Sequence, residues 1–518
     1  MTLRLSFLIC TLTLVGVVAV ASPAAAQDTQ DGRLSLRETI DMALENNLDI
    51  VVSRLNTQVQ GENIGAARGA LKPFLFADLN NLDSRTPANN QLVGAAALRQ
   101  KVNVYNITWM QELSLGTNYN ITFENRRLST NSAFSSFNPL FDAAISAQIA
   151  QPLLRNLGLN PNKQRIVVAQ NGERFARFQF ESRVMDVVRD VEIAYWDLVQ
   201  AIRGLEVAEK SLELAQDLRR NNRIQVEVGT MAPIDVLQAE AEVAAREESV
   251  ILTTQAIHNT EDTLKRLIND PSSESFWQTT VIPVDQPSDA EVEIDVDASV
   301  QTALQRRPEL DQSRTELDTR GYNVRFTRNQ LRPQVDIVGS LAFTGLGGTE
   351  FVREGEGLLG AIVDEVPGGY TDAVNQLFGG DFRDWSVGLR FSYPMGHSTQ
   401  SALHAQAQVE FRQQRATIES QELVVAQQVR VTARAVDTNR KRIQTTRVAR
   451  ELTQERLEAE EKKFEVGMST SFFIVQAQRD LTEAAANELR ALIDYNKALV
   501  EFERARGTLL DRDNISVR

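Results

Sequence analysis

The sequence writes one bend twice. VGTMAPIDVLQAEAEV at 228–243 returns as VGMSTSFFIVQAQRDL at 466–481, an offset of 238. Two further pairs align without gaps at an offset of 260: TIDMALENNLDI (39–50) with SVQTALQRRPEL (299–310), and ALKPFLFADL (70–79) with QLRPQVDIVG (330–339). An internal repeat constrains a fold more than any single motif does, because both copies must build the same local structure. The chain therefore reads as two like halves, 34–270 and 296–513, joined by an acidic, Pro-bearing linker. Each half runs in one order: short helix, Leu-Lys/Arg-Pro break, β-rich section, very long helical section.

The helical sections carry apolar residues at steps of three and four. Val188, Val191, Tyr195, Leu198, Ile202 and Leu205 form one such stripe, and Leu492, Tyr495, Leu499 and Phe502 another. This is coiled-coil-like spacing, with charges between. A helix over 163–227 would be roughly 100 Å long at about 1.5 Å per residue. Between Pro161 and Pro271 the single proline is Pro233, just beyond the Val-Gly bend, where it suits a first helical turn. Each bend thus reads as the tip of an antiparallel helical hairpin, with glycine supplying the left-handed position at the helix end.

The β sections alternate instead. In 117–126, Tyr119, Ile121 and Phe123 oppose Asn118, Asn120, Thr122 and Glu124. In 384–394, Trp385, Val387, Leu389, Phe391 and Tyr393 oppose Asp384, Ser386, Arg390 and Ser392, and Tyr105, Ile107, Trp109 and Leu113 repeat the pattern. Such alternation fits a soluble sandwich or a membrane barrel with lipid outside and water inside. Lengths near ten residues, aromatics towards strand ends and an export leader favour the barrel. Candidate strands are 73–80, 101–114, 117–126, 142–151, 334–343 and 384–393, with 81–100, 127–141 and 344–381 expected as polar extracellular loops. A closed barrel needs about eight strands, and open edges cannot face lipid. Several copies must therefore share one barrel.

Arg4, the apolar run LSFLICTLTLVGVVAVA and Ala24–Ala26 read as a secretory signal peptide over 1–26. The only cysteine, Cys10, falls inside it, so the mature chain has no thiol for a disulfide, metal site or nucleophile. Once Arg4 is removed, 54 Lys+Arg face 69 Asp+Glu, and no basic stripe appears. That balance argues against nucleic acid as a partner.

Taken in order, these residues resemble the TolC-like outer membrane factor family. The likeness rests on the doubled architecture, LKP/LRP opening the β sections, AQIAQPLLRNLG (147–158), RRPEL (306–310), DWSVGLRFSYP (384–394), the Val-Gly bends and YNKALVEFERARGTLL (495–510). The resemblance implies an α+β membrane protein. Its homotrimer would share an outer-membrane β-barrel, commonly twelve-stranded, continued by a long periplasmic α-helical barrel with a mixed equatorial region. It divides the chain into an N-terminal helical region (27–72), a β section (73–155), a long hairpin (156–270) and an equatorial linker (271–298). The helical repeat (299–332), second β section (333–395), second hairpin (396–513) and a tail (514–518) follow. Whether the 101–126 hairpin enters the barrel is left open.

The function implied is an outer-membrane export duct of a tripartite efflux or type I secretion system. A periplasmic adaptor would dock on the tips, Val228, Gly229, Thr230 and Met231 with Val466, Gly467, Met468 and Ser469, and through it an inner-membrane pump. Above the tips the family narrows to a gate, which in some members is lined by acidic rings and held closed by an inter-helix Asp–Arg pair. Here Asp235 matches the acid, Ser469 stands where the arginine would be, and the ring positions are Phe473 and Gln476. The expected constriction is apolar, made by Phe472 or Phe473 and closing by dewetting. The plainer readings are a core role for one phenylalanine and an N-terminal helix carboxylate for Asp235.

No nucleophile is paired with a base, and His258, His397 and His404 sit in no ligand motif, so neither an enzyme, a cofactor nor a metal centre is expected. The rival from another class is an exported trimeric coiled-coil scaffold or adhesin without a channel.

Overall fold

The computed structural model describes residues 32–88, 93–269, 276–355, 360–393, 395–396 and 398–516; the leader expected at 1–26 and His397 lie outside the described residues. The first half runs β1 (Arg33–Leu34), α1 (Leu36–Asn46), α2 (Leu48–Gly69), strands β2 (Phe74–Pro87), β3 (Ala97–Glu112), β4 (Asn118–Thr130) and β5 (Phe137–Pro152), then α3 (Pro161–Glu227) and α4 (Pro233–Ile268). After β6 (Ile282–Pro283) the second half gives α5 (Val296–Arg306), α6 (Pro308–Gln330), β7 (Gln334–Glu354), β8 (Ala361–Val366), α7 (Tyr370–Gly379), β9 (Arg383–Ser392), α8 (Thr399–Glu465), α9 (Ser471–Arg506) and α10 (Leu509–Arg512). The halves match in length: α3 and α8 are both 67 residues, and α4 and α9 are both 36.

Local chemistry sets the helix ends. Ser35 and Glu38 form a capping box on α1, and the Asp295 carboxylate caps α5. Asn160 caps α3 by accepting from the Lys163 N–H at 2.8 Å, and Pro161 occupies the first turn.

The core lies at the waist. Around the middle of α3, Val184, Val188, Val191, Tyr195 and Leu198 pack on Ile40 and Ile50, on Leu264 and Ile268 at the end of α4, and on Leu509. A second cluster joins Val300 and Leu310 to Val429, Val436 and Ile443 of α8 and to Tyr495 and Phe502 of α9. Two buried tyrosines bind the linker to these clusters. The Tyr195 hydroxyl accepts from the Val284 and Asp285 N–H groups, both at 3.1 Å, and Tyr495 Oη donates to the Ala290 carbonyl at 2.6 Å. A buried ion network crosses the halves: Arg504 of α9 reaches Asp186 of α3 at 2.8 Å and Glu309 of α6 at 2.6 Å.

Six long strands form one antiparallel sheet in the order β2-β3-β4-β5-β7-β9, with β8 pairing the far end of β7. The register carries one face of the sheet from strand to strand. Leu75, Trp109, Ile121, Ala147, Leu341 and Trp385 form a continuous cross-strand row, flanked by Leu79, Tyr105, Ile107, Phe123, Ile145, Ile149, Val387 and Leu389. Asp78, Asn106, Thr108, Asn120, Thr122, Ser146, Gln148, Ser340 and Ser386 line the other face. The 101–126 hairpin lies in the middle of this sheet.

The three expected loops are corrected by this register. Much of 81–100 and 127–141 continues the strands, because cross-strand pairing carries polar residues such as Asn81↔Asn103 beyond the apolar belt. The 344–381 segment contains the end of β7, then β8 and α7. Helix α7 lies on the apolar side of the sheet, where Ala373 and Leu377 bury against Ala143. Glycines make that approach possible: a Cβ on Gly345 would stand 2.0 Å from the Ala373 carbonyl oxygen, and one on Gly347 would stand 2.4 Å from that of Gly369.

Candidate docking tips and gate

The two Val-Gly bends close on the same hydrogen bonds. In the first, Gly229 N–H donates to Val226 O at 3.0 Å and Thr230 N–H to Gln225 O at 2.9 Å. In the second, Gly467 N–H donates to Phe464 O at 3.0 Å and Met468 N–H to Lys463 O at 2.8 Å. Both are Schellman-type helix ends, and the glycines sit at φ +82° and +77°, where an L side chain is strained. A Cβ would meet nothing within 4 Å at either glycine, so backbone conformation alone selects it. The apolar neighbours are left uncovered: Val228 is 68% exposed, Val466 69% and Met468 79%. Thr230 is exposed, whereas Met231 and Ser469 are half-buried.

Just above the tips, Ile474 and Ala477 of α9 pack with Leu218 of α3 and Leu457 of α8. Phe472 and Phe473 stand exposed on the single chain, edge to face at 5.6 Å, outside that small core. Asp235 lies in the first turn of α4 and accepts from Ser471 Oγ across the two hairpins at 2.9 Å. Ser469 turns its hydroxyl to Glu460 in its own hairpin. Gln476 donates to Asp480 at 2.8 Å, and Asp480 also pairs with Arg456 at 2.7 Å.

An ion cluster that the residue reading missed lies two turns above Asp235. Glu242 of α4, 4% exposed in its side chain, takes Arg479 of α9 at 2.5 Å and Arg246 of its own helix at 2.6 Å. Burial alone would push the Glu242 carboxyl up, but the bonds from Arg479 and Arg246 outweigh it and hold it below the usual carboxylate range. The signal was present in the repeat: at the offset of 238, Glu242 falls on Asp480, so both hairpins carry an acid at this height.

His404 bonds Thr327 of α6 and Gln408, a helix-to-helix tie. Among the described residues no cluster of His, Cys, Asp or Glu could hold a metal ion, and no helix is long and apolar enough to cross a membrane.

Paired long hairpins with matched open tips are carried on a sheet with one apolar face and two edge strands unpaired within the chain, the architecture of an outer-membrane channel subunit. The chain belongs to the outer membrane efflux protein family, whose model matches residues 39–270 and 299–508 on either side of the linker. Solved structures share the fold at low identity. The CmeC outer membrane channel of Campylobacter jejuni is 15% identical, covers 92% of this chain and 86% of its own, and superposes with a TM-score of 0.65. VceC of Vibrio cholerae is 12% identical, with 91% and 96% covered and a TM-score of 0.64. The open-state MtrE channel of Neisseria gonorrhoeae is 18% identical, with 93% and 91% covered and a TM-score of 0.61. No curated protein sequence matches the chain significantly. It is an outer-membrane efflux channel, with its helical part extending into the periplasm.

Proposed function

We propose that three copies of this chain form the export duct of a tripartite efflux or type I secretion assembly. A periplasmic adaptor docks on the tips, and an inner-membrane pump drives the cargo through it. The observation that carries this reading is the pair of matched tips. Val228, Gly229, Thr230 and Met231, and Val466, Gly467, Met468 and Ser469, end two hairpins of equal length. Uncovered Val and Met at such a level end suit a partner surface.

The gate in this reading is apolar. Phe472 and Phe473 supply the constriction and close it by dewetting, with Asp235 and Gln476 beside them. Glu242–Arg479 supplies the lock that the Asp235/Ser469 combination lacks, because opening draws α4 away from α9. The duct itself binds no cofactor and hydrolyses nothing.

Conductance of the purified protein in planar bilayers tests both parts, with wild type beside Phe473→Ala. A small or flickering wild-type current that becomes large in the variant supports duct and gate together. A steady large current unchanged by the substitution removes Phe473 from the gate. Trimeric, bilayer-inserted protein that passes no current in either form refutes the duct and favours an exported scaffold.

A further inference from the structure

We infer that the membrane barrel of this channel has eighteen strands, six from each of three copies, closed by pairing β9 of one protomer with β2 of the next. The inference rests on the trimeric duct proposed above and departs from the twelve strands that the family resemblance implies.

Three observations carry it. First, the apolar row crosses all six strands without a break, and β3 and β4 contribute Trp109, Ile107, Ile121 and Phe123 to it. A hairpin folded into the lumen as a plug would not carry that face, whereas a lipid-facing hairpin must. Second, the β3–β4 turn is seated in the fold. Asn160 Nδ2 donates to the Ser114 carbonyl at 3.0 Å while its other amide atom caps α3, and the Gly158 N–H donates to Leu115 O at 3.1 Å. The hairpin is thereby fixed at the same level as the ends of β2 and β5.

Third, the edges demand a partner. Thirteen of the fourteen β2 residues and nine of the ten in β9 are exposed, and both edge strands carry belt residues, Leu75 and Leu79 on one and Val387 and Leu389 on the other. Unpaired backbone cannot stand in lipid. Six strands are too few to close on themselves. Within the sheet every neighbouring pair is antiparallel, so β2 and β9 run in opposite directions, and a copy of β2 can pair antiparallel with β9 at the junction. That contact is head-to-tail and closes into a ring. Barrel diameter grows roughly linearly with strand number, so the mouth would be about one and a half times as wide as a twelve-stranded one. A duct with such a mouth passes bulky cargo through the outer membrane without a second narrowing there.

The chain's only cysteine, Cys10, lies in the expected leader, whose removal gives a clean background for cross-linking. Leu79→Cys is combined in one chain with Val387→Cys, Leu389→Cys or Phe391→Cys, all on the apolar face, and oxidised in outer membranes. The expected result is a reducible trimer ladder from at least one combination, with Ile121→Cys replacing Leu79→Cys as the negative control. Strands are counted directly by electron cryomicroscopy of the full chain in lipid nanodiscs. In a Trp385→Phe background, Trp109 should be quenched by brominated acyl chains, a loss absent from the Trp109→Phe control. A trimer with twelve membrane strands, or a Trp109 quenched only by aqueous iodide, overturns the inference and leaves the duct intact. Protein that neither trimerises nor enters the membrane overturns the underlying duct reading as well.

Discussion

Replacing Arg479 by alanine tests whether the ion pair between the hairpins is a lock. Glu242 is almost fully buried, and its carboxylate receives Arg479 at 2.5 and 3.1 Å and Arg246 at 2.6 and 2.8 Å. A hydrogen bond to a charged group is worth about 1.5–3 kcal/mol. Two features reduce that here: the Arg479 side chain is 55% exposed, and Arg246 still neutralises Glu242 once Arg479 is gone. The net loss is about 1 kcal/mol, a factor of about five in the open-to-closed ratio. Single-channel open probability in planar bilayers should rise accordingly, and a double-mutant cycle with Glu242→Gln should return a coupling of the same size. The pH dependence has a definite sign. A carboxyl held below its ordinary value contributes fully above the usual carboxylate range and loses its contribution as pH falls through the lowered value. The open ratio should therefore stay flat on acidification down to about the ordinary glutamate value of 4.5, and rise only below it. Zero coupling in the cycle, or a wild-type ratio that drifts in the neutral range, would refute the lock.

Two further substitutions probe the waist and the outer rim. Arg504→Met strips the buried cation from Asp186 and Glu309. Burial favours the neutral Glu309 carboxyl, yet Arg504 and Arg307 together hold it at about 2, so its contribution is complete above about 4.5 and lost towards 2. With Arg307 still in place the loss is roughly 2–3 kcal/mol, and the acid-unfolding midpoint followed by circular dichroism should move to higher pH; an unchanged midpoint defeats this account. Gly345→Ala puts a methyl 2.0 Å from the Ala373 carbonyl oxygen, so α7 must leave the sheet and expose Leu377, at about 2 kcal/mol. Hydrogen exchange over 370–379 should accelerate while β5 and β9 stay protected, and continued protection of α7 would count against the glycine seat.

The helical half was legible because its signals are local. Val188, Val191, Tyr195 and Leu198 announce a helix face by spacing alone, and all four are fully buried. The bends were legible because a positive φ leaves glycine as the easy choice, twice. Strand ends were not legible. Beyond the belt both faces of a strand meet water, alternation disappears, and pairing such as Asn81↔Asn103 is written in the partner strand rather than in the segment itself. Helix α7 escaped for a similar reason: its two buried residues are placed by glycines some thirty positions earlier, at 345 and 347. The Glu242–Arg479 pair joins residues 237 positions apart on two helices, and its one trace in the sequence is the acid repeated at Asp480.

The two repeat offsets carry a further lesson. Helices α1 and α5, α2 and α6, and strands β2 and β7 begin 260 residues apart, whereas α3 and α8, and α4 and α9, begin 238 apart. The difference of 22 residues therefore falls wholly within the β section, where the first half holds four long strands and the second holds β7 and β9. The reason is mechanical. Each helical turn is about 5.4 Å high, so an insertion in α3 or α4 alone would put one tip out of level with the other and break a shared docking plane. A hairpin added to an antiparallel sheet brings two strands per copy, six to a ring of three copies, and leaves its height unchanged. Duplication followed by insertion could thus alter the width of the mouth freely, while the length of the duct stayed fixed by the need for its tips to meet one partner together.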